Sequence, residues 1–325
     1  MKKKVLITGI FGQDGSILAE KLYNHNYEVY GIKNLKNSKS SKKNCEILKK
    51  KKIKFKLLNA DLFNYDSLRK NLIKVKPNII FHLSAYHSSS QVKIHSEDEI
   101  MYKNILPVLH FLDILNKYLK KTKFINAGSC LMYDNSNVSP QHEKLKWQSS
   151  SPYGISKIVS ANFVKYYREN YKIFSVTPIL YNHESSRRGE QFVTQKIISN
   201  MIKIKQKKIK SFTLGNLNTI KDWSHANDIM DALILISKSK KPIDYIVSSG
   251  KGRTIMDFVK TTARVLGILD YKKVIKIDKN LNKSNFSKTK LVGNSKLIKK
   301  NLKWKNKISF EKMIAEMIEN RLLQK

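Results

Sequence analysis

The stretch "SPYGISK", Ser151 to Lys157, sets Tyr153 four residues ahead of Lys157. On a helix that spacing puts both side chains on one face. An ammonium and a cationic hydride acceptor beside a phenol together favour the phenolate, so the tyrosine can act as an acid/base near neutral pH. Ser129, in "AGSCLMYD", is placed at the end of a short apolar strand pattern and can hold the same substrate oxygen. A trio of this kind moves a proton at a carbinol or carbonyl oxygen. To make that a redox reaction it needs a hydride carrier.

"TGIFGQDG" provides a place for one, with Gly9, Gly12 and Gly15 between an apolar strand and a helical pattern. The glycines allow a tight turn and close approach of backbone to a pyrophosphate, with a helix N-terminus aimed at it. The strand before and the helix after separate this loop from a chance triplet. Gln13 and Asp14 fill it and are assigned to the cofactor. After the second strand a dinucleotide site usually carries an acid for the ribose hydroxyls. Here "YGIKNLK" offers Lys33, Asn34 and Lys36. Cations near a 2′-phosphate favour NADP, with NAD left open. Asp61, closing the third strand, either accepts from the adenine amino group or N-caps the next helix. Leu62, and Leu83 and Ala85 at the end of the fourth strand, are placed against the cofactor, as are Tyr153 and Lys157.

The elements that must hold these residues alternate. Strands are expected at Val5–Ile7, Tyr27–Ile32, in "KIKFKLLNADL", "NIIFHLSA" and "KFINAGS", and in a sixth segment, "IFSVTPILYN". Helical patterns separate them, among them "NILPVLHFLDILNKYLK" and "SPYGISKIVSANFVKYYREN". Apolar strands alternating with helices predict an α/β fold with a doubly wound parallel (Rossmann) sheet and right-handed connections. Residues 1–180 read as the dinucleotide-binding domain. Residues 181–325 read mainly as a smaller substrate-binding lobe, from which some segments return to the first domain. "NLKNSKSSKKN" (Asn34–Asn44) reads as a basic loop and "IDKNLNKSNFSKTK" as a second polar segment.

With these motifs in place the chain resembles the extended short-chain dehydrogenase/reductases that modify sugar nucleotides, along nearly its whole length. It is most similar to their GDP-mannose 4,6-dehydratase branch in "ITGIFGQDGSILAE", "LYNHESSRRGEQFVTQKI" and "LGNLNTIKDWSHANDIMDA". The resemblance implies that Asn182 contacts the sugar or phosphate and that Lys196 lies near the diphosphate. Lys221 stands where the branch has a diphosphate-binding arginine. His183 and Arg188 would lie against the cofactor or a neighbouring subunit, and Arg187 and Arg188 suit a subunit contact as well as a ligand. Asn182 capping a turn and Lys196 as a solvated lysine are the structural alternatives.

The branch carries threonine, serine and glutamate where this chain has Ser129, Cys130 and Leu131. In the family reaction C4 is oxidised, which acidifies the C5 proton; a base then removes it, water leaves from C6, and hydride returns to C6. Leucine cannot move a proton, and general acid–base help is worth about 10²–10⁴-fold. The hydride step needs only Ser129, Tyr153 and Lys157. A second arginine of the branch aligns with Ser284, with Lys283 or Lys288 as substitutes. Lysine at 221 keeps charge but not the bidentate fork. The expectation is an oxidoreductase that oxidises and reduces, or epimerises, C4 of a nucleotide-linked sugar, a GDP-sugar favoured. The rival is a true dehydratase with a displaced base such as Cys130. A non-catalytic dinucleotide-binding regulator is a third reading, opposed by the intact Tyr153 and Lys157.

Composition bounds the rest. The chain has 325 residues, 41% of them hydrophobic, with 63 Lys and Arg against 25 Asp and Glu. The cations are spread along the whole chain and arginine is scarce, so a solvated surface that attracts anions is expected rather than specific nucleic-acid binding. Gly9, Gly12, Gln13 and Asp14 interrupt the apolar start, and no run spans a bilayer, so neither a signal peptide nor a membrane partner is expected. Cys45 and Cys130 have no metal or disulfide spacing, which points to no metal site and to the cytoplasm. A homodimer or homotetramer is expected.

Overall fold

The computed structural model describes residues 2–32, 38–86, 96–278 and 290–323. In chain order the elements are β1 (Lys4–Thr8), α1 (Gln13–Asn24), β2 (Glu28–Ile32), α2 (Lys39–Lys50), β3 (Lys56–Leu58), α3 (Tyr65–Val75), β4 (Ile79–His82), α4 (Glu97–Tyr118), β5 (Lys123–Asn126), α5 (Pro152–Tyr171), β6 (Ser175–Val176), β7 (Ile179–Leu180) and β8 (Asn182–Glu184). There follow α6 (Val193–Lys205), β9 (Phe212–Leu214), β10 (Ile220–His225), α7 (Ala226–Lys238), β11 (Ile246–Val247), β12 (Gly252–Thr254), α8 (Ile255–Leu266), β13 (Ile275–Ile277), α9 (Lys296–Leu302) and α10 (Phe310–Leu322).

Six strands form one parallel sheet in the order β3-β2-β1-β4-β5-β6. Successive residues of each strand feed opposite faces. Val5 and Ile7 pack with Ile17, Leu18, Ile229 and Leu233 from α1 and α7. Leu6 packs with Leu68, Phe111, Leu115 and Val164 from α3, α4 and α5. Burial on both sides is why β1, β4 and β5 read as apolar runs, whereas the edge strand β3 is largely exposed. The order reverses between β1 and β4, and in such sheets the crevice beyond that point receives the ligand.

The second core joins α6, α8 and α10 through Ile197, Met201, Phe258, Met313 and Met317. It borders a three-stranded sheet, β12-β10-β8. Residues 229–236, Val247, Ile298 and Trp304 pack instead into the cluster of β1.

Three expectations need correction. The sixth strand is interrupted around Pro178, which has no N–H to donate. Its pieces enter three sheets: β6 pairs with β5, β7 with β11 and β8 with β10. The basic loop Asn34–Asn44 contains the start of α2, capped by Ser38, whose hydroxyl accepts from Ser41 N at 3.2 Å. Asn44 of that helix is buried and donates to the carbonyls of Phe11 and Arg187 at 3.0 and 3.3 Å. The third strand ends at Leu58, so Asp61 lies beyond it. Lys33, Lys36, Lys283, Ser284 and Lys288 lie outside the described residues.

Candidate active site

The glycine loop is built as its chemistry demands. Gly9 has φ +68°, a conformation costly for any residue with a Cβ. A Cβ on Gly15 would stand 2.1 Å from the Gly9 carbonyl oxygen. Only hydrogen there lets α1 start this close beneath the turn. Gly12 N-caps α1 without a side-chain hydrogen bond, which leaves first-turn N–H groups available to an anion. A cradle that a Cβ would fill, at an uncapped helix N-terminus, fits a pyrophosphate.

Beside it, Thr8 at the end of β1 organises the segment after β4. Its hydroxyl accepts from Leu83 N and Ser84 N, both at 3.1 Å, and lies 2.9 Å from His82 Nδ1. Burial pushes the His82 imidazole down to about 3, so this ring is neutral. Asn104 of α4 then ties the segment to α5. Its amide oxygen accepts from Tyr86 N at 2.9 Å, and its nitrogen donates to Tyr86 O and Ser156 Oγ at 3.0 and 3.1 Å. Thr8 and Asn104 thus position the segment of Leu83 and Ala85 against α5. Sequence reasoning missed both, because their partners are remote in the chain.

Asp61 is exposed, and its carboxylate accepts from Phe63 N at 2.9 Å. The cap of α3 is Asn64, not Asp61. Leu62 supplies its carbonyl to His110 Nδ1 at 3.0 Å.

Tyr153 and Lys157 occupy the first turns of α5, whose N-cap Ser151 accepts from Gly154 N at 3.1 Å. A Cβ on Gly154 would stand 2.4 Å from the Leu131 carbonyl, so this glycine lets α5 press against the segment that carries Ser129. Lys157 Nζ donates to Ala127 O at 2.9 Å and lies 5.6 Å from the Tyr153 ring centroid. Desolvation pushes its ammonium down to about 8. Burial dominates and raises Tyr153 above its ordinary range, with Cys130 and Asp14 adding to the shift and Arg188 opposing it.

Ser129 is not at the strand end as expected but three residues past β5, where it caps a short 3₁₀ turn at Cys130–Tyr133; its Oγ accepts from Leu131 N at 3.2 Å. Leu131 is half-buried against Cys130, Met132 and Tyr133. Cys130 is itself buried, and that burial pushes its thiol up to about 11, with nearby Lys221 pulling the other way. It stays protonated near neutral pH and is a poor base. Asp134 is held by Ser150 N and Ser151 Oγ, both at 2.7 Å.

One cluster went unread in the sequence. His183 Nε2 lies 2.9 Å from Asp14 Oδ2, and its Nδ1 lies 2.6 Å from Tyr181 O. Both ring nitrogens face acceptors, so the imidazolium satisfies both. Burial opposes both charges of the pair. For Asp14 it is outweighed by His183 and Arg188, which leave the carboxyl at about 2; for His183 it is outweighed by Asp14, which raises the ring above its usual value. Gln13 adds to the link, donating to His183 O at 3.1 Å and accepting from Ser185 Oγ at 2.9 Å. Arg187 pairs with Glu20 and Arg188 with Glu184, so both arginines are engaged within the chain.

Asn182 pairs in register with Trp223 across β8 and β10, and Lys221 lies on β10 opposite Arg253 of β12 and bridges to Leu291. Burial pushes the Lys221 ammonium down, opposed by Cys130 and Asp134. Lys221 thus lies within electrostatic range of Cys130 and Asp134. Lys196, on α6, is half-buried.

The fold and the Ser–Tyr–Lys site beside a glycine cradle define an extended short-chain dehydrogenase/reductase. A model of the family GDP-mannose 4,6 dehydratase matches residues 6–317. A GDP-mannose 4,6-dehydratase of Vibrio cholerae serotype O1 is 32% identical over 357 residues, covering 99% of this chain and 94% of that protein. UDP-glucose 4-epimerase of Thermotoga maritima superposes with a TM-score of 0.85 at 21% identity, each chain 99% covered. dTDP-glucose 4,6-dehydratase of Bacillus anthracis, solved with NAD, gives 0.85 at 15% identity, with 99% and 97% covered. The chain belongs to the GDP-mannose 4,6-dehydratase family. It is an NAD(P)-dependent enzyme acting on nucleotide sugars. Among the described residues no helix is long and apolar enough to cross a membrane.

Proposed function

We propose that this enzyme oxidises and reduces, or epimerises, C4 of a GDP-linked sugar without the coupled loss of water, and that it uses NADP. The observation that carries the reading is the pair at 130–131, a buried thiol held protonated and a leucine where the family keeps a serine and a glutamate. Ser129 would hold the C4 oxygen, Tyr153 would exchange its proton, and Lys157 would stabilise the phenolate. The nicotinamide, when bound, supplies the hydride acceptor and a positive charge that favours the phenolate. Gly9, Gly12 and Gly15 would cradle its pyrophosphate, with Gln13 and Asp14 bracing the loop against His183 and Ser185. Lys33 and Lys36 support NADP by sequence. The lobe from 181 onward, apart from the segments packed on the first core, would bind the sugar nucleotide through Asn182, Lys196 and Lys221.

Family membership favours a second reading, full dehydration, which requires a base other than Cys130. Incubation of the wild type with GDP-hexoses and NADP in deuterated solvent decides between them. The expected result is C4 oxidation or epimerisation with no loss of water by mass. Rapid, complete conversion to a 4-keto-6-deoxy product would overturn the proposal. The exposed Tyr102, Tyr118, Tyr166 and Tyr171 on α4 and α5 support a homo-oligomer, dimer or tetramer, which sedimentation would reveal. The free cysteines Cys45 and Cys130 suit the cytoplasm.

A further inference from the structure

A cavity of about 630 Å³ lies between β10, the 249–253 segment and the turn from α9 into α10. None of the cofactor, catalytic or substrate residues named above lines it. Its volume is that of small-molecule sites. Six of its fourteen lining residues are Lys or Arg (Lys251, Arg253, Lys299, Lys303, Lys305 and Lys307) and one is acidic, Glu311. Over the whole chain 63 of 325 residues are Lys or Arg and 25 are acidic. The cavity is therefore about twice as rich in cations as the chain, and no richer in acids. The basic composition alone does not account for it.

Two further features point to an anion. Arg253 Nε is buried without an acceptor among the described residues, while its guanidinium carbon lies 5.5 Å from the Phe310 ring centroid. Arg253 also lines the cavity, and a guanidinium donates to phosphate oxygens in a planar fork. The N-terminus of α10, at Ser309 and Phe310, also opens into the cavity, and its dipole favours negative charge. The floor is Trp223 and Trp304, both buried.

The geometry points to a second binding site here, separate from the nucleotide-sugar site, for a small polyphosphate anion. Inorganic pyrophosphate and a nucleoside diphosphate share that chemistry. The concave shape favours a small ligand over a nucleic-acid backbone, which needs an extended groove.

The chain has three tryptophans, and Trp147 is the one outside the cavity. In a Trp147→Phe background, emission therefore reports on Trp223 and Trp304. Titration with pyrophosphate should change it saturably. In Lys251→Glu/Lys305→Glu, which alters two exposed side chains, half-saturation should move about tenfold or more, as expected for two close charge reversals. The remote pair Lys74→Glu/Lys120→Glu changes net charge equally and should leave the titration in place. Lys221→Ala should also leave it in place. GDP as the second probe separates the two sources: tighter binding than pyrophosphate means the nucleoside is read, and equal binding means the phosphates alone are. No saturable change, an equal effect of the remote pair, loss in Lys221→Ala, or competition only by long duplex DNA would overturn the proposal.

Discussion

At Leu131 a side chain of methyl groups sits two residues from Ser129, and the site is short of one proton carrier. Leu131→Glu should introduce or raise loss of water from a GDP-hexose, by about 10²-fold, the low end for a general acid/base; product mass reads this. The Asp14–His183 pair makes a different prediction, of stability. The Asp14 pKa is lowered to about 2 on folding, so its contribution is present above the unfolded value near 3.8 and is lost as pH falls toward 2. The His183 pKa is raised, so its contribution is present below about 6.5 and is lost as pH rises through the raised value. Asp14→Asn should therefore lower stability most between about pH 4 and 6.5, on the order of 2 kcal/mol, with the gap to wild type shrinking above that window. Melting curves across pH check it. The tight glycine turn and the placing of Tyr153 beside Lys157 were legible because residue type and local spacing dictate both. Asp14 with His183 was not, because 169 residues separate the partners and no local pattern joins them.

The start of α1 is where an element depends on a missing side chain. Gly15→Ala places a carbon 2.1 Å from the Gly9 carbonyl oxygen, whereas the same carbon on Gly12 meets that oxygen at 3.1 Å. Gly15→Ala should lose dinucleotide affinity by at least about 10²-fold, since the turn must open, and Gly12→Ala should lose less. Equilibrium binding of NADP to both variants measures the order, and the reverse order would mean that the loop is shaped otherwise. Apart from α2, the alternation of strand and helix through α5 was legible because its buried strands are apolar runs bounded by polar turns. The segment after α5 was not. Its apolar run continues across Thr177 and Pro178, and only tertiary pairing shows that Ile179–Leu180 leaves the main sheet for β11. The lysines of α2 disguised a helix that buries only Asn44 and Leu48, too narrow a stripe for periodicity to reveal.

Across the whole molecule 63 cationic side chains face 25 acidic ones, a formal net charge of +38. Several of those acids are already committed, Glu20 to Arg187 and Lys51, Asp244 to Arg168, Glu28 to Lys56. Cations therefore outnumber the acids that could pair with them by more than two to one. Net charge this far from zero works against the compact state through self-repulsion, even as it draws anionic substrates inward. Salt acts on both. The screening length falls from about 30 Å at 0.01 M to about 10 Å at 0.1 M, so the many distant repulsions weaken first and the few contacts near 3 Å weaken least. The melting temperature should therefore rise, by roughly 2–4 °C for each kcal/mol of repulsion removed, as sodium chloride increases from 0.01 to 0.5 M. Over the same range the KM for a GDP-sugar should increase, because its diphosphate loses long-range attraction, while kcat holds. Scanning calorimetry and initial rates on one set of salt samples give both numbers. A melting temperature that falls with salt would mean that the paired acids outweigh the dispersed lysines in holding the fold together.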